Sequence, residues 1–260
     1  MYLNYKDQGK GKAIVLIHGF TESLTIWNKF SEALSKKYRI IRIDLPGHGK
    51  SKCMGKFHLM EDMADAIDSV IKKLQIDSFM IVGHSMGGYV SLSYAEKYPE
   101  KVKGLCLFHS QAAADSPEVK VNRARTIEVV KQNHLDFINQ FIPDLFAPSN
   151  KQRLQTEIEA LKAEAKSFLT KKSIIASLEG MRQRTDKYDF LSKTNIPILF
   201  IAGKQDSRIP LTKVTEQLIL PKHAESLFLN IGHMGYLEAP EETLNTIAYF
   251  AAKLFNPTVL

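Results

Sequence analysis

Gly83-His84-Ser85-Met86-Gly87 matches the pattern Gly-x-Ser-x-Gly. A serine hydroxyl in a sharp turn between a strand and a helix can attack a carbonyl carbon, because the strained backbone pushes it outward. Small flanking residues let strand and helix approach, and Gly83 and Gly87 supply them, with Gly88 adding room. The bare pattern arises often by chance. Its position after an apolar run and before a helical one gives it meaning. Serine alone is a poor nucleophile; it needs a base, and the base needs an orienting carboxylate. Asp206 and His233 are placed for those parts. Asp206 follows an apolar run through Gly203-Lys204-Gln205, and His233 follows another through Asn230-Ile231-Gly232. Asp186 and Asp189 are rival acids, but they precede the run that leads to Asp206 and read as surface residues.

For these three residues to meet, the elements before them must bring their loops to one edge. Ala13–Ile17, Arg39–Ile43, Phe79–Val82 and Val102–Phe108 are short apolar, β-branched runs that read as buried strands. Between them, Trp27, Phe30 and Leu34 recur at helical spacing, as do Met63, Ile67, Val70, Ile71 and Leu74. Tyr89–Tyr98 reads as a helix stopped by Pro99. This alternation predicts crossover connections and a parallel sheet covered by helices on both faces. From about Ala112 to Ser192 no strand is apparent; Val119–Val130, Leu154–Phe168 and Ile174–Met181 read as helices. Alternation resumes with strand Pro197–Ala202, helix Val214–Leu220, strand Ser226–Leu229 and helix Glu241–Phe255. The expected fold class is therefore α/β, with a mostly parallel central sheet flanked by helices and an inserted helical segment. Residues 1–111 and 193–260 would form the core, and 112–192 the insertion.

Composition narrows the partners. The chain has 260 residues, 44% hydrophobic and 24% charged, so a disordered or disulfide-scaffold protein is excluded. The net charge of +7 comes from lysines and arginines scattered among acids, as in 157–166, without the clustered footprint of a nucleic-acid binder. Cys53 and Cys106 form no CxxC and no framework. No apolar run is long enough to span a membrane, and Met1–Lys12 is polar, so a cytoplasmic location is expected. No HExxH or clustered Cys/His spacing predicts a metal. Asp44–Ser51 ends in Gly-Lys-Ser and resembles a phosphate-binding loop, but Asp44 stands where that pattern needs glycine, so it reads as a structural turn.

Taken together, His18-Gly19-Phe20, Asp44 to Ser51, Gly83 to Gly88, Gly203 to Asp206 and Gly232 to Pro240 identify a chain that resembles the α/β-hydrolase superfamily over nearly its whole length. The resemblance implies an α/β-hydrolase fold with a cap, and roles residue by residue. Ser85 would be the nucleophile, His233 the general base and acid, and Asp206 its orienter. The backbone N–H groups of Phe20 and Met86 would form the oxyanion hole, His18 would support that loop, and His84 would pack structurally. The implied activity is hydrolysis of a small or medium carboxylic ester or thioester, with no cofactor and no metal. The partner would be a small-molecule substrate, with neither nucleic acid nor membrane; a homo-oligomer is possible but not indicated.

Two other activities share the size, cap and triad: a carbon–carbon bond hydrolase, and the menaquinone-pathway synthase, which would carry arginine where Tyr89 stands. A ligand sensor on the same fold is a third reading. Substrate contacts are more open. His109 is either a polar wall of the pocket or a hydrogen-bonded structural histidine. Arg182 and Arg184 either direct a guanidinium into the cleft to bind a substrate carboxylate, or sit on a solvated helix end. Phe137, Phe141, Leu145 and Phe146 either line an acyl pocket or dock the cap.

Overall fold

The computed structural model describes residues 3–256. Seven strands form one sheet: β1 (Tyr5–Gln8), β2 (Ala13–Ile17), β3 (Arg39–Ile43), β4 (Phe79–His84), β5 (Val102–Phe108), β6 (Ile198–Gly203) and β7 (Ala224–Leu229). Their spatial order is β1-β3-β2-β4-β5-β6-β7. Every pairing is parallel except β1 on β3. β2, β4 and β6 are buried at every residue, which is why they read as continuous apolar runs.

Helices α1 (Asn28–Leu34), α2 (Met60–Lys73), α3 (Met86–Lys97), α9 (Leu211–Leu218), α10 (Gly235–Glu238) and α11 (Pro240–Phe255) accompany the sheet. α3 packs on β4, β5 and α2, α11 on β5, and α9 on β6 and β7. Trp27, Phe30 and Phe108 meet in the core, with the Trp27 ring 5.5 Å from Phe30 and 5.8 Å from Phe108.

Between β5 and β6 the described chain holds no strand. It runs through α4 (Pro117–Gln132), α5 (His134–Phe141), α6 (Gln155–Phe168), α7 (Lys171–Gln183) and α8 (Tyr188–Lys193). This segment is fastened to the rest by specific contacts. The His58 N–H donates to the Ala176 carbonyl (3.0 Å), and a Cβ on Gly180 would lie 1.8 Å from the His58 carbonyl oxygen. Ser23 and Thr25 both donate to the Glu164 carboxylate at 2.6 Å.

The observed elements extend the sequence reading at several points. β1 and α5 are additions: Tyr5–Gln8 is a mostly exposed polar edge strand with no apolar signal. β4 continues to His84, and α3 begins at Met86, three residues before Tyr89, so only Ser85 separates strand from helix. Gly87 makes that possible, since a Cβ there would lie 2.5 Å from the carbonyl oxygens of Ile17 and His18.

β2 is followed by β3 on one side, and the chain then crosses to β4 on the other. This reversal opens a crevice at the carboxyl ends of β2 and β4, where ligands bind in open α/β sheets. His18-Gly19-Phe20 and Ser85 emerge there.

Candidate active site

Ser85 occupies the single residue between β4 and α3 with φ 51° and ψ −117°. Positive φ is costly for a residue with a Cβ, and such strain persists only where surroundings over-determine it. Here the Ser85 N–H donates to the Phe108 carbonyl (2.9 Å), and the Ser85 carbonyl accepts from Ser110 Oγ (2.8 Å) and the Gly88 N–H (2.9 Å).

Asp206 lies in the loop after β6 and His233 in the loop after β7. His233 Nδ1 is 2.8 Å from Asp206 Oδ2. The same oxygen is 3.0 Å from His109 Nδ1, while Oδ1 accepts the N–H groups of Arg208 (2.8 Å) and Ile209 (2.9 Å). Burial alone would raise the Asp206 pKa. The charges and hydrogen bonds of His233 and His109 outweigh it and hold the carboxyl well below the usual carboxylate range. His109 Nδ1, Asp206 and His233 Nδ1 are also close enough to suit a metal ion, but their contacts are those of a hydrogen-bonded trio.

His18 organises the loop after β2. Its Nε2 accepts the Leu45 N–H (2.9 Å), so the ring proton sits on Nδ1, which donates to the Gly19 carbonyl (2.7 Å). Burial depresses its pKa, in keeping with a neutral ring. Among the described residues, neither the Phe20 nor the Met86 N–H donates to a protein acceptor. Two free donors thus flank the Ser85 turn.

Two acids that the sequence reading did not single out brace these loops. Glu22, fully buried, accepts the Gly19 N–H (2.5 Å), Tyr236 Oη–H (3.0 Å) and His84 Nδ1–H (2.8 Å). Glu238 accepts the N–H groups of Gly232 (3.0 Å), Met234 (3.1 Å) and Ala147 (3.0 Å), clasping the loop on both sides of His233. The only sequence signal for Glu22 is its place three residues beyond Gly19, since its neighbours Thr21 and Ser23 are themselves polar.

Ser85 and His233 line one cavity of about 340 Å³. Phe20, Phe137, Phe141, Leu145, Leu178 and Met181 give it an apolar wall, and Tyr89, Asn122, Arg123, Thr126, Ser207 and Arg208 add polar groups. Phe146 is buried but is not part of the wall.

Three expected substrate contacts lie elsewhere. His109, with φ 49°, sits behind the cavity against Gly235 and Asp206. Arg182 pairs with Glu179 on its own helix at 2.7 Å. Arg184 is buried: its Nη1 donates to Asp115 (2.5 Å) and to the Met181 carbonyl (3.0 Å), its Nη2 donates to the Ala113 carbonyl (2.9 Å), and its guanidinium lies 4.0 Å above the Tyr89 ring. The expectation that either arginine reaches the cleft is therefore corrected. A nearby carboxylate claims each charge, and the arginines facing the cavity are Arg123 and Arg208.

The rival acid Asp189 pairs with Lys193 at the surface. Asp44 is structural: its carboxylate accepts the N–H groups of Leu24 (2.7 Å) and Lys50 (2.9 Å) and fills the turn at Gly49.

This constellation on this topology defines an α/β hydrolase. The alpha/beta hydrolase fold family matches residues 12–240, and the chain belongs to that family; it is a hydrolytic enzyme. Among solved structures it resembles a thermophilic esterase from Thermogutta terrifontis, with 30% identity and a TM-score of 0.91, covering 97% of this chain and 93% of that one. In sequence it is 28% identical over 251 residues to the dihydrolipoyllysine-residue acetyltransferase component of an acetoin cleaving system from Pseudomonas putida. That match covers 94% of this chain but only 64% of the relative's length. It is also 28% identical over 247 residues to an (E)-2-((N-methylformamido)methylene)succinate hydrolase from Acinetobacter baylyi, covering 92% of this chain and 90% of the relative. No helix among the described residues is long and apolar enough to cross a membrane.

Proposed function

We propose that the protein is a serine hydrolase cleaving small or medium carboxylic esters through an acyl-enzyme. The observation carrying this reading is that Ser85, in its strained turn, shares a cavity with His233, whose far nitrogen is fixed by Asp206.

Ser85 Oγ attacks the ester carbonyl carbon while His233 Nε2 takes its proton. Asp206 keeps the His233 proton on Nδ1, leaving Nε2 free to accept, and stabilises the imidazolium that forms. The free N–H groups of Phe20 and Met86 receive the oxyanion, a contribution of about 3–4 kcal/mol for each such donor. Collapse expels the alcohol, protonated by His233, and leaves the acyl group on Ser85. Water, deprotonated by His233, then attacks the acyl carbon and releases the acid and Ser85. The helical segment between β5 and β6 serves as a cap: its Phe137, Phe141, Leu178 and Met181 bound the cavity and limit substrate size. Similarity to the Thermogutta esterase supports ester cleavage.

The test is a panel of p-nitrophenyl esters of increasing acyl length, run beside a ring-fission diketone, with fluorophosphonate labelling. Short esters should be turned over and Ser85 labelled; Ser85→Ala should lose both, and Asp206→Asn should lower kcat by about 10⁴-fold. Equal labelling of wild type and Ser85→Ala rules out this nucleophile. Preferential cleavage of the diketone moves the assignment to carbon–carbon hydrolysis.

A further inference from the structure

Resting on the ester-hydrolase reading, we propose that Arg208, assisted by Arg123, forms an anion subsite inside the catalytic cavity. The preferred substrate is then an ester bearing a free carboxylate at the end remote from the bond cleaved.

Arg208 lines the same cavity as Ser85 and His233. Its N–H donates to Asp206 Oδ1 (2.8 Å), so its side chain springs from the loop that holds the triad acid. The guanidinium carbon lies 4.7 Å from the centroid of the Phe141 ring. Among the described residues that guanidinium donates no hydrogen bond and meets no carboxylate, in contrast to Arg39 on Asp7, Arg182 on Glu179 and Arg184 on Asp115. A guanidinium keeps its charge and has five donors to place. One held against an aromatic wall beside a nucleophile has a ready use for them.

Arg123 reaches the cavity from α4. It spends Nε and Nη2 on Asp115, leaving Nη1 without a partner among the described residues. Asp115 also serves Arg184, so one carboxylate answers two guanidinium groups. Asp144, the other acid near Arg208, is open to solvent and lies 3.7 Å from Lys151. Glu22, the acid on the cavity wall, is already paired with His84. Arg208 therefore faces the cavity with no ion pair of its own, its compensation coming only at a distance from Asp144 and Asp206. Burial lowers the Arg208 pKa; the charges of Asp144 and Asp206 act against this and Arg123 adds like-charge repulsion, so an anion between the two arginines favours both guanidinium charges.

The shortfall suits a single negative charge, and a planar carboxylate matches the guanidinium fork. Phe20, Phe137, Phe141, Leu145, Leu178 and Met181 make much of the cavity wall hydrocarbon, which suits an alkyl linker between carboxylate and ester. A cavity of about 340 Å³ is at the small end of ligand pockets, so the substrate is small.

Wild type and Arg208→Gln are assayed on mono(p-nitrophenyl) glutarate and on neutral p-nitrophenyl valerate. Wild type should favour the glutarate by about tenfold or more in kcat/KM, and Arg208→Gln should erase most of that ratio, the scale of one charge-assisted hydrogen bond. A wild-type ratio at or below one, or a ratio unmoved by Arg208→Gln, overturns the subsite. A second measurement does not depend on turnover. In Ser85→Ala, monomethyl glutarate should bind about tenfold more tightly than dimethyl glutarate, and addition of Arg208→Gln should abolish the difference. If no ester is cleaved but this difference is present, the anion site stands and the ester-hydrolase reading falls. If neutral esters are cleaved and the difference is absent, the ester-hydrolase reading stands and the subsite falls.

Discussion

The His84 imidazole lies with Nδ1 2.8 Å from the buried Glu22 carboxylate, while its Nε2 faces the backbone carbonyl of His233 at 2.9 Å. Both ring nitrogens thus address acceptors, which requires a proton on each. His84 is therefore an imidazolium, although no water reaches it. Burial alone would depress its pKa; Glu22 reverses this and raises it, and in turn His84 brings the Glu22 pKa down against the cost of burial. The pair joins the loop after β2 to the loop carrying His233. In the proposed mechanism it also neutralises a carboxylate that would otherwise oppose the developing oxyanion.

Glu22→Gln should destabilise the protein by about 3 kcal/mol, since removing one partner leaves the other charge buried. The pH dependence has a definite sign. The His84 contribution is full below its ordinary pKa of 6.5 and is lost as pH rises through the raised folded value. The Glu22 contribution is full above its ordinary 4.5 and is lost as pH falls through the lowered folded value. Urea unfolding of wild type and Glu22→Gln should show the largest gap between pH 4.5 and 6.5, narrowing on either side. A gap that widens steadily with pH would show that the ring is neutral.

The proposed triad was legible because each member lies in a turn or loop that follows an apolar run, unbroken in β4 and β6 and shorter in β7. Sheet topology then carries the three loops to one edge. β1 escaped notice because an edge strand exposes its polar residues, as Tyr5–Gln8 does, and leaves no periodic signal. β7 is partly exposed along its length, so only its apolar end, Ser226–Leu229, announced itself. Charge partners were the least legible. Glu22 lies 62 residues from His84, and Arg184 lies 69 from Asp115, and nothing local reveals either pairing. For that reason Arg184 reads from sequence as either a cleft residue or a solvated one, and it is neither, whereas the unclaimed Arg208 emerges only from its surroundings.

Gly19 shows how closely the oxyanion loop is built around that pair. A Cβ there would lie 2.7 Å from Glu22 Oε2, 2.9 Å from His84 Nδ1 and 3.1 Å from Ser85 Cβ. Gly19→Ala must therefore push the loop away from Ser85 and shift the Phe20 N–H with it. We expect kcat to fall by about 10²–10³, the effect of losing one oxyanion donor, with a much smaller change in KM. Near-wild-type kcat in a folded Gly19→Ala protein would remove the Phe20 N–H from the mechanism.

His109 shares the Asp206 oxygen that orients His233, and this position should tune the pH range over which the fold is stable. While His109 donates to Oδ2, part of the carboxylate's accepting power is diverted from His233. The substitution to test is His109→Asn, because asparagine tolerates the φ of 49° at this site. Its shorter side chain withdraws the imidazole donor. The Asp206 carboxyl then keeps less of its depressed pKa. Asp206, with its lowered folded pKa, contributes stability above its ordinary 3.8, and this is lost as pH falls through the folded value. With His109 gone the depression is smaller, so His109→Asn should lose the Asp206 contribution at a higher pH than wild type does. A purely space-filling His109 would lower stability evenly across pH.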